Sequence, residues 1–332
     1  MKRHWWLPVV GLIVAAAWFE PTLSVRGWLR GEPFYDGRSA SFWTRQLLSD
    51  DNPAVSEEAR QKLARDDGST QDLLCALVAR QSAPAELRWT AAEMLGKSGP
   101  LKPAVSQALL AALQDPDQAV QSVAAKAVGE VKVDAAAAVP ALLKLLSTNA
   151  SVPVIRALSV YQSEAEPARE PLLKLVRDTK LPSEVRWNAV RTIGKMRAAG
   201  APAVEALIPF MKDAEQTVRE HVAEAMGDIG PEARAAVPAL IEALDDTFHK
   251  VRRDAVRSLG QIGPDALPAL PAIEKKLTDP EPIVREAASN AIAALIGKPA
   301  NPPPGESPPA QPDRPASTDP QTKTPADPAE KP

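Results

Sequence analysis

The sequence has few of the residues on which many enzymes and metal sites depend. Cys75 is the only cysteine among 332 residues, so no internal disulfide can form and a cysteine-rich metal site is excluded. The three histidines, His4, His221 and His249, leave little material for a metal centre. Aromatic residues make up only 4% of the chain, a fraction that suits closely packed helices better than a β-sandwich. The formal net charge of -3 lacks the excess of lysine and arginine that phosphate binding requires, so we expect no nucleic-acid partner.

An uncharged apolar run occupies the N-terminus, from Trp5 to Phe19, after a short basic start. A helix of this length extends roughly 22 Å, less than the ~30 Å hydrocarbon core of a bilayer. Three alanines near its end fit a signal-peptide cleavage site, whereas the tryptophans near both ends are typical of a membrane-interface belt. We therefore expect residues 1–20 either to anchor the chain, through residues 5–19, with the rest outside the cytoplasm, or to be removed on export.

The C-terminus has a different composition. Twelve prolines and almost no large apolar residue lie between Pro299 and Pro332. Such a segment cannot bury enough apolar surface to offset the entropy lost on ordering. The sequence therefore predicts a disordered, proline-rich tail over residues 297–332. Near the other end, we expect a linker over residues 21–40.

Between these ends the sequence repeats. The clearest copies are VREHVAEAMGDIG from Val218, VRRDAVRSLGQIG from Val251 and VREAASNAIAALIG from Val284. A small or β-branched residue marks position five of each copy, at intervals of 32 or 33 residues. These markers are Ala59, Ala91, Ala124, Ala157, Ala189, Val222, Ala255 and Ala288. The interval predicts eight repeats over residues 41–296.

A second apolar segment accompanies each copy, such as AAVPALIEALDD from Ala235. Its apolar residues recur at three- and four-residue spacing, which is a helix period. We expect the opening turn of this helix to contain a proline, at a position where the missing N–H costs little. These prolines are Pro140, Pro238 and Pro271. The pair Gly230-Pro231 predicts the turn that ends the other helix.

A two-helix unit with Asp in the turn, followed by V-R-x-x-A-x-x-x-L-G-x-I-G, resembles the HEAT-repeat family. The short period is similar to its bacterial, phycobilisome-lyase-type HEAT-like repeats. The resemblance implies an all-α fold, a right-handed α-solenoid of about eight two-helix repeats. The stretch from Gly31 to Trp43 looks like the lead-in of membrane-linked bacterial proteins of this family.

Charged residues recur at fixed places in the repeat. In similar repeats, an Arg at position two and an Asp in the preceding turn form a structural ladder between neighbouring turns, and the forked guanidinium favours paired hydrogen bonds to a carboxylate. The arginines are Arg88, Arg186, Arg219, Arg252 and Arg285, and the aspartates are Asp115, Asp117, Asp213, Asp246 and Asp279.

A candidate binding surface follows from the helical stripe. Positions one, five, nine and twelve should be buried, so positions three and seven should point away from the core and form a concave wall. These residues are Trp89, Glu93, Ser122, Lys126, Ile155, Ser159, Trp187, Arg191, Glu220, Glu224, Arg253, Arg257, Glu286 and Asn290. Trp89 and Trp187 occupy the same slot, where they could be interface hot spots or could fill gaps between repeats.

The sequence favours binding over catalysis. The lyase resemblance implies chromophore attachment, yet such repeats are used far more widely as binding modules. The paired His-Glu motifs of the helical-repeat enzyme deoxyhypusine hydroxylase do not occur here, and Cys75 reads as a small core residue. We therefore expect a non-catalytic scaffold or adaptor with a protein or peptide partner, no cofactor and no metal. The alternative is a chromophore-lyase-like or other protein-modifying enzyme.

Overall fold

The computed structural model describes residues 23–49, 51–64, 68–99 and 102–297. The chain divides into two units, residues 1–300 and 301–332, and every described residue lies in the first. The apolar run at residues 5–19 and the proline-rich tail beyond Gly297 lie outside the described residues. No helix within the described ranges is long and apolar enough to cross a membrane.

The repeats are pairs of helices, as the periodicity predicts. The first helix of each pair is here called an A helix and the second, which carries the Val-Arg motif, a B helix. The A helices are α2 (Ala40–Leu47), α4 (Ser69–Ala79), α6 (Pro103–Ala112), α8 (Ala135–Leu146), α10 (Arg169–Arg177), α12 (Val204–Leu207), α14 (Val237–Ala243) and α16 (Leu270–Lys275). The B helices are α3 (Pro53–Leu63), α5 (Ala85–Gly96), α7 (Gln118–Glu130), α9 (Val152–Val160), α11 (Ser183–Lys195), α13 (Gln216–Ile229), α15 (His249–Ile262) and α17 (Pro282–Ile296). The all-α solenoid of eight two-helix repeats is confirmed.

The core is continuous because each repeat packs on the next. From α5 onward, every B helix contacts the B helix that follows it. All eight position-five residues are buried, from Ala59 to Ala288, with at most 3% of their surface exposed. A single helix pair could not bury this stripe on both sides, so stability comes from stacking between neighbours.

Proline shapes the A segments in two ways. Short 3₁₀ turns precede the later A helices, and Pro238 and Pro271 fall at the start of the α-helix that follows, as expected. Pro140 does not: it lies inside α8, which begins five residues earlier. The Asp134 carboxylate caps that earlier start by accepting a hydrogen bond from the Ala136 N–H at 3.0 Å.

Glycine at position ten of the B helix permits close packing rather than ending the helix. A Cβ atom added to Gly194 would lie 2.9 Å from the Ala225 Cα, in the next B helix. At Gly129, the equivalent position, the nearest atoms would be 3.4 Å away, an ordinary contact. The turn itself is made by Gly230, at position thirteen, whose φ of 88° suits glycine alone.

A compact element covers the start of the first repeat, within the segment that the sequence suggests as a linker. It consists of α1 (Ser24–Leu29) and a hairpin of β1 (Phe34–Tyr35) with β2 (Arg38–Ser39). Gly27 packs directly on Ser39, whose hydroxyl donates to the Leu23 carbonyl at 3.2 Å. The Trp43 indole N–H donates to the Tyr35 carbonyl at 3.1 Å, which joins the hairpin to α2.

Candidate protein-binding wall

Four arginine–aspartate pairs join successive turns of the solenoid. In each pair the aspartate follows the arginine by 27 residues, which carries it from one B helix to the turn before the next. Arg219 donates through Nε and Nη2 to both carboxylate oxygens of Asp246, at 2.7 and 2.9 Å. The full set is Arg88–Asp115, Arg186–Asp213, Arg219–Asp246 and Arg252–Asp279.

Each ladder residue also holds its own turn. The Arg219 guanidinium donates through Nη1 to the Asp213 carbonyl oxygen at 2.9 Å, six residues earlier. The Asp246 carboxylate accepts from the Phe248 N–H, two residues later, at 2.8 Å. Asp117, which the sequence suggests as a ladder member, instead caps α7 by accepting from the backbone N–H groups of Ala119 and Val120.

The ladder lowers the pKa of its carboxyl groups. Burial acts to raise the pKa of Asp213 and Asp246, but hydrogen bonds from arginine and from the backbone outweigh it, and the pKa falls below its ordinary value. The same balance holds for Asp115. For Asp279 the hydrogen bond from Arg252 is the largest influence, and it lowers the pKa against the effect of burial. We therefore assign these carboxylates a structural role, because arginine and backbone N–H groups already compensate their charge.

The ladder changes in the middle of the chain and stops at its end. Gln121 replaces arginine at position two of α7, and it accepts a hydrogen bond from the Asn149 side chain at 3.0 Å. In α9 the residue at position two is Val154, which is fully buried. Arg285, in the last repeat, donates to the backbone carbonyls of Asp279 and Pro280.

Most of the predicted wall residues are at least partly exposed, with one exception. The exposed wall residues are Lys126, Arg191, Arg257, Glu286 and Asn290. The wall residues that are half-buried are Trp89, Glu93, Ser122, Ser159, Trp187, Glu220, Glu224 and Arg253. The placement of Ile155 on this surface is wrong: Ile155 is fully buried, and Arg156 is exposed in its stead. Val154, Ile155 and Leu158 form the buried stripe of α9, a shift of the stripe that the degenerate repeat conceals.

The two tryptophans are both partly covered by the core. Trp187 stacks on His221 of the next B helix, with ring centroids 4.5 Å apart and planes at 25°. The Arg156 guanidinium, from the preceding B helix, lies 5.9 Å from the Trp187 ring centroid. His221 in turn holds Glu224 through a 2.7 Å contact between Nδ1 and Oε2. Trp187 thus packs across three repeats, which favours the gap-filling interpretation for this residue.

Grooves run between successive B helices. They form where positions seven and ten of one helix face positions four and eight of the next. Between α7 and α9 the groove encloses about 270 Å³, with Gly129, Ala157 and Val160 along its floor and Lys126 and Arg156 at its rim. We call the exposed surface of the eight B helices, from α3 to α17, together with these grooves, the B-helix wall.

Two further grooves repeat the arrangement. The one between α15 and α17 encloses about 380 Å³ and contains Arg253 and Arg257. The one between α3 and α5 encloses about 260 Å³ and contains Glu93. Its lining includes Thr90, whose buried hydroxyl has no hydrogen-bond partner in the described part of the chain. Sequence reasoning missed the residues at positions four and eight, because the buried stripe alone does not show that they face back toward the preceding helix.

A larger groove, of about 660 Å³, lies on the A-helix side between Ile208–Lys212 and α14. Its charged lining includes Asp213, Arg219 and Asp246 of the ladder. Because those groups already bind one another, the groove offers a partner fewer unsatisfied polar groups than its size suggests.

Cys75, the one cysteine of the sequence, is half-buried. Burial raises the pKa of the Cys75 thiol to about 11, so little of the nucleophilic thiolate is present at neutral pH. Among the described residues, no three His, Cys, Asp or Glu side chains converge in a way that could hold a metal ion.

Solved structures resemble this chain in fold. It is similar to the E. coli protein YibA, with a TM-score of 0.53, 20% identity, and coverage of 81% of this chain and 95% of that one. Human deoxyhypusine hydroxylase gives a TM-score of 0.33, 21% identity, and coverage of 78% and 96%. The complex of CpcE and CpcF of phycocyanin lyase from Nostoc sp. gives a TM-score of 0.39 and 22% identity, with coverage of 47% of this chain and 98% of that one. No curated protein matches the chain in sequence. At 20% identity, the similarity to YibA concerns the fold alone.

A family model supplies the assignment that the helix pairs and the Arg–Asp ladder indicate. The model described as HEAT repeats matches residues 70–162, 169–247 and 237–304, which together make up more than half of the chain. The matched segments include seven of the eight B helices, from α5 to α17. The chain belongs to the HEAT-repeat family.

Proposed function

We propose that this protein is a non-catalytic scaffold that binds a protein or peptide partner along the B-helix wall. The observation that carries the proposal is the groove between α7 and α9. Its floor is apolar, and Val160, on that floor, has 39% of its surface exposed, in contrast to the buried stripe of Val154, Ile155 and Leu158 on the same helix. A contiguous apolar surface with polar residues at its rim is typical of interaction sites.

The size of the groove favours a side chain over a small-molecule substrate. Small-molecule sites usually enclose ~300–1,000 Å³, and this groove encloses about 270 Å³ and is open to solvent. One apolar side chain of a partner fits such a space. Lys126 already lies 3.6 Å from Glu130, which also lines the groove, so Arg156 is the rim cation that would favour a carboxylate beside that side chain.

The repeated grooves suit an elongated partner. Ile283, in the groove between α15 and α17, is another exposed apolar residue, at 38%. The groove between α3 and α5 lies on the same series of B helices and adds a third place of this kind. A peptide or helix lying across several B helices would reach more than one of these places.

The location proposed for this scaffold rests on sequence. Residues 5–19 form the apolar run, and they would either hold the protein at a membrane or direct its export. We propose the uncleaved, membrane-held form with the solenoid outside the cytoplasm.

The test is partner capture by matched variants. Val160→Glu puts a charge on the groove floor, and Leu267→Glu puts one on an equally exposed apolar residue, at 45%, on the A-helix side. In affinity purification from envelope fractions, Val160→Glu should recover about tenfold less partner, roughly 1.4 kcal/mol. Leu267→Glu should recover the wild-type amount. Equal recovery by both variants, with both folded, would overturn the proposal.

A further inference from the structure

The start of the described chain presents an apolar patch on a rigid base. Among the described residues, eight large apolar side chains are exposed, and three of them are Trp28, Leu29 and Phe34, at 74%, 60% and 39%. Trp28 and Phe34 line the same shallow depression, together with Ser24 and Val25. A tryptophan so exposed costs free energy in water, so a patch that contains one is usually covered by a partner.

The patch is held in place by the surrounding structure. Gly27, next to Trp28, packs against Ser39 so closely that an added Cβ would lie 2.2 Å from the Ser39 Cβ. The Glu32 backbone N–H donates to the Gly27 carbonyl at 2.9 Å, which fixes the turn after α1. The Glu32 carboxylate accepts from the Ser41 N–H and hydroxyl, at 2.8 and 2.6 Å, which ties this turn to α2.

The patch lies close in sequence to the apolar run. Eight residues lie between Phe19, the end of the run, and Trp28. With α1 helical and the preceding residues extended, this stretch spans at most on the order of 25 Å. If the run is inserted in a bilayer, Trp28 cannot be farther than that from the end of the inserted segment.

The chemistry of the patch suits the boundary between headgroups and hydrocarbon. Tryptophan is enriched at that boundary because its large ring is apolar and its N–H is polar. Arg30 is adjacent and lies 3.9 Å from Glu32, but 53% of its side chain is exposed, so it would still favour anionic headgroups. Asp36, at the tip of the hairpin, is the exposed acidic residue nearby in sequence.

We propose that Trp28, Leu29 and Phe34 form a membrane-contacting face, which lies in the lipid interface and holds the first repeat against the bilayer. This inference rests on the proposed membrane-held form, and it adds a second contact beyond the inserted segment. The occupant of the patch is a lipid surface rather than a protein.

The experiment uses the full chain in vesicles of phosphatidylcholine and phosphatidylglycerol. A fluorophore is attached to Trp28→Cys in a Cys75→Ala background, and in a matched sample to Gln261→Cys, an exposed position on α15. Quenching by lipids that carry a nitroxide on the acyl chain, and by iodide in water, is measured for both labels. The label at 28 should be quenched several-fold more by lipid and less by iodide than the label at 261.

The outcomes separate this inference from the tether. If the protein stays with the vesicles but the label at 28 is quenched like the label at 261, the lipid-contacting face is refuted and the tether stands. If the label at 28 is shielded from both quenchers, protein covers the patch, and the inference is again overturned. If the protein does not stay with the vesicles, both proposals fail. Phe34→Glu, with the label at 28, should reduce lipid quenching while the protein remains bound through residues 5–19.

Discussion

Asp245 and Asp246 offer a sharp test of the ladder, because they are neighbours in sequence with opposite surroundings. The Asp246 side chain is 11% exposed and binds Arg219, whereas the Asp245 side chain is 84% exposed and contacts Lys276 at 2.7 Å. We consider Asp246→Ala, with Asp245→Ala as the control. Both changes remove one carboxylate from the same turn, so net charge and composition are matched.

The expected cost follows from the bonds that each change removes. Asp246→Ala removes two bonds from Arg219 and one from the Phe248 N–H. A hydrogen bond to a charged group contributes ~1.5–3 kcal/mol. Arg219 keeps its bonds to the Asp213 and Ala214 carbonyls, and its side chain, 15% exposed, regains some water. We therefore expect a loss of ~2–4 kcal/mol for Asp246→Ala, and ~0–1 kcal/mol for Asp245→Ala.

The assay is urea unfolding followed by far-ultraviolet circular dichroism, with the free energy of unfolding taken from the midpoint and slope. A double-mutant cycle with Arg219→Ala should give a coupling energy above ~1 kcal/mol, since the two residues share a network. Equal destabilisation by Asp245→Ala and Asp246→Ala would refute the structural role of the ladder, as would a coupling energy near zero.

Four further predictions follow from burial, packing and charge. Because the folded pKa values of Asp115, Asp213, Asp246 and Asp279 are lowered, their stabilisation is complete above the ordinary pKa of ~3.9 and is lost as pH falls through the folded values. Acid titration of unfolding should therefore show a smaller pH dependence for Asp246→Asn than for the wild type. Gly194→Ala should destabilise the protein by ~1–3 kcal/mol through overpacking against Ala225. Gly129→Ala, which meets only ordinary contacts, should be neutral or stabilise it by up to ~1 kcal/mol. A loss of stability at both positions in calorimetry would contradict the difference in helix spacing. Leu259→Ala, at a fully buried site, should lower the free energy of unfolding by ~2–5 kcal/mol in chemical unfolding. Arg257→Ala, at an exposed site, should lower it by ~0.5 kcal/mol or less. Trp187→Ala should lower the melting temperature because it removes the stack on His221, and an unchanged melting temperature together with reduced partner recovery would favour the hot-spot role.

The sequence predicts the repeats well because burial enforces their spacing. Every repeat places a small or β-branched residue where two B helices meet, so the markers from Ala59 to Ala288 reveal each repeat. Regularity fails in α9, where Pro153 occupies the first turn and both Val154 and Ile155 are buried. A rule derived from the clean repeats therefore assigned Ile155 to the wrong side.

Other features depend on residues that are distant in sequence. The reason for glycine at position 194 is the backbone of Ala225, on another helix, and no local pattern reveals that distance. The grooves are similar: Val160 reads as one more apolar residue of a helix, and its exposure depends on how far α9 lies from Gly129 of α7. The hairpin at residues 34–39 has strands of two residues each, too short for an alternating pattern to indicate them.

The central claim is that a partner binds the B-helix wall, and site-specific photo-crosslinking in living cells tests it most directly. A photoreactive amino acid is placed at Arg191 or Arg257, both exposed on B helices, or at Glu205 or Glu242, both exposed on A helices. Glu242 also lines the groove of about 660 Å³ on the A-helix side, so it gives that side a fair chance of crosslinking. Our account predicts a crosslinked protein from the two B-helix positions and none from the two A-helix positions. A crosslink at Glu242 without one at Arg191 or Arg257 would contradict it.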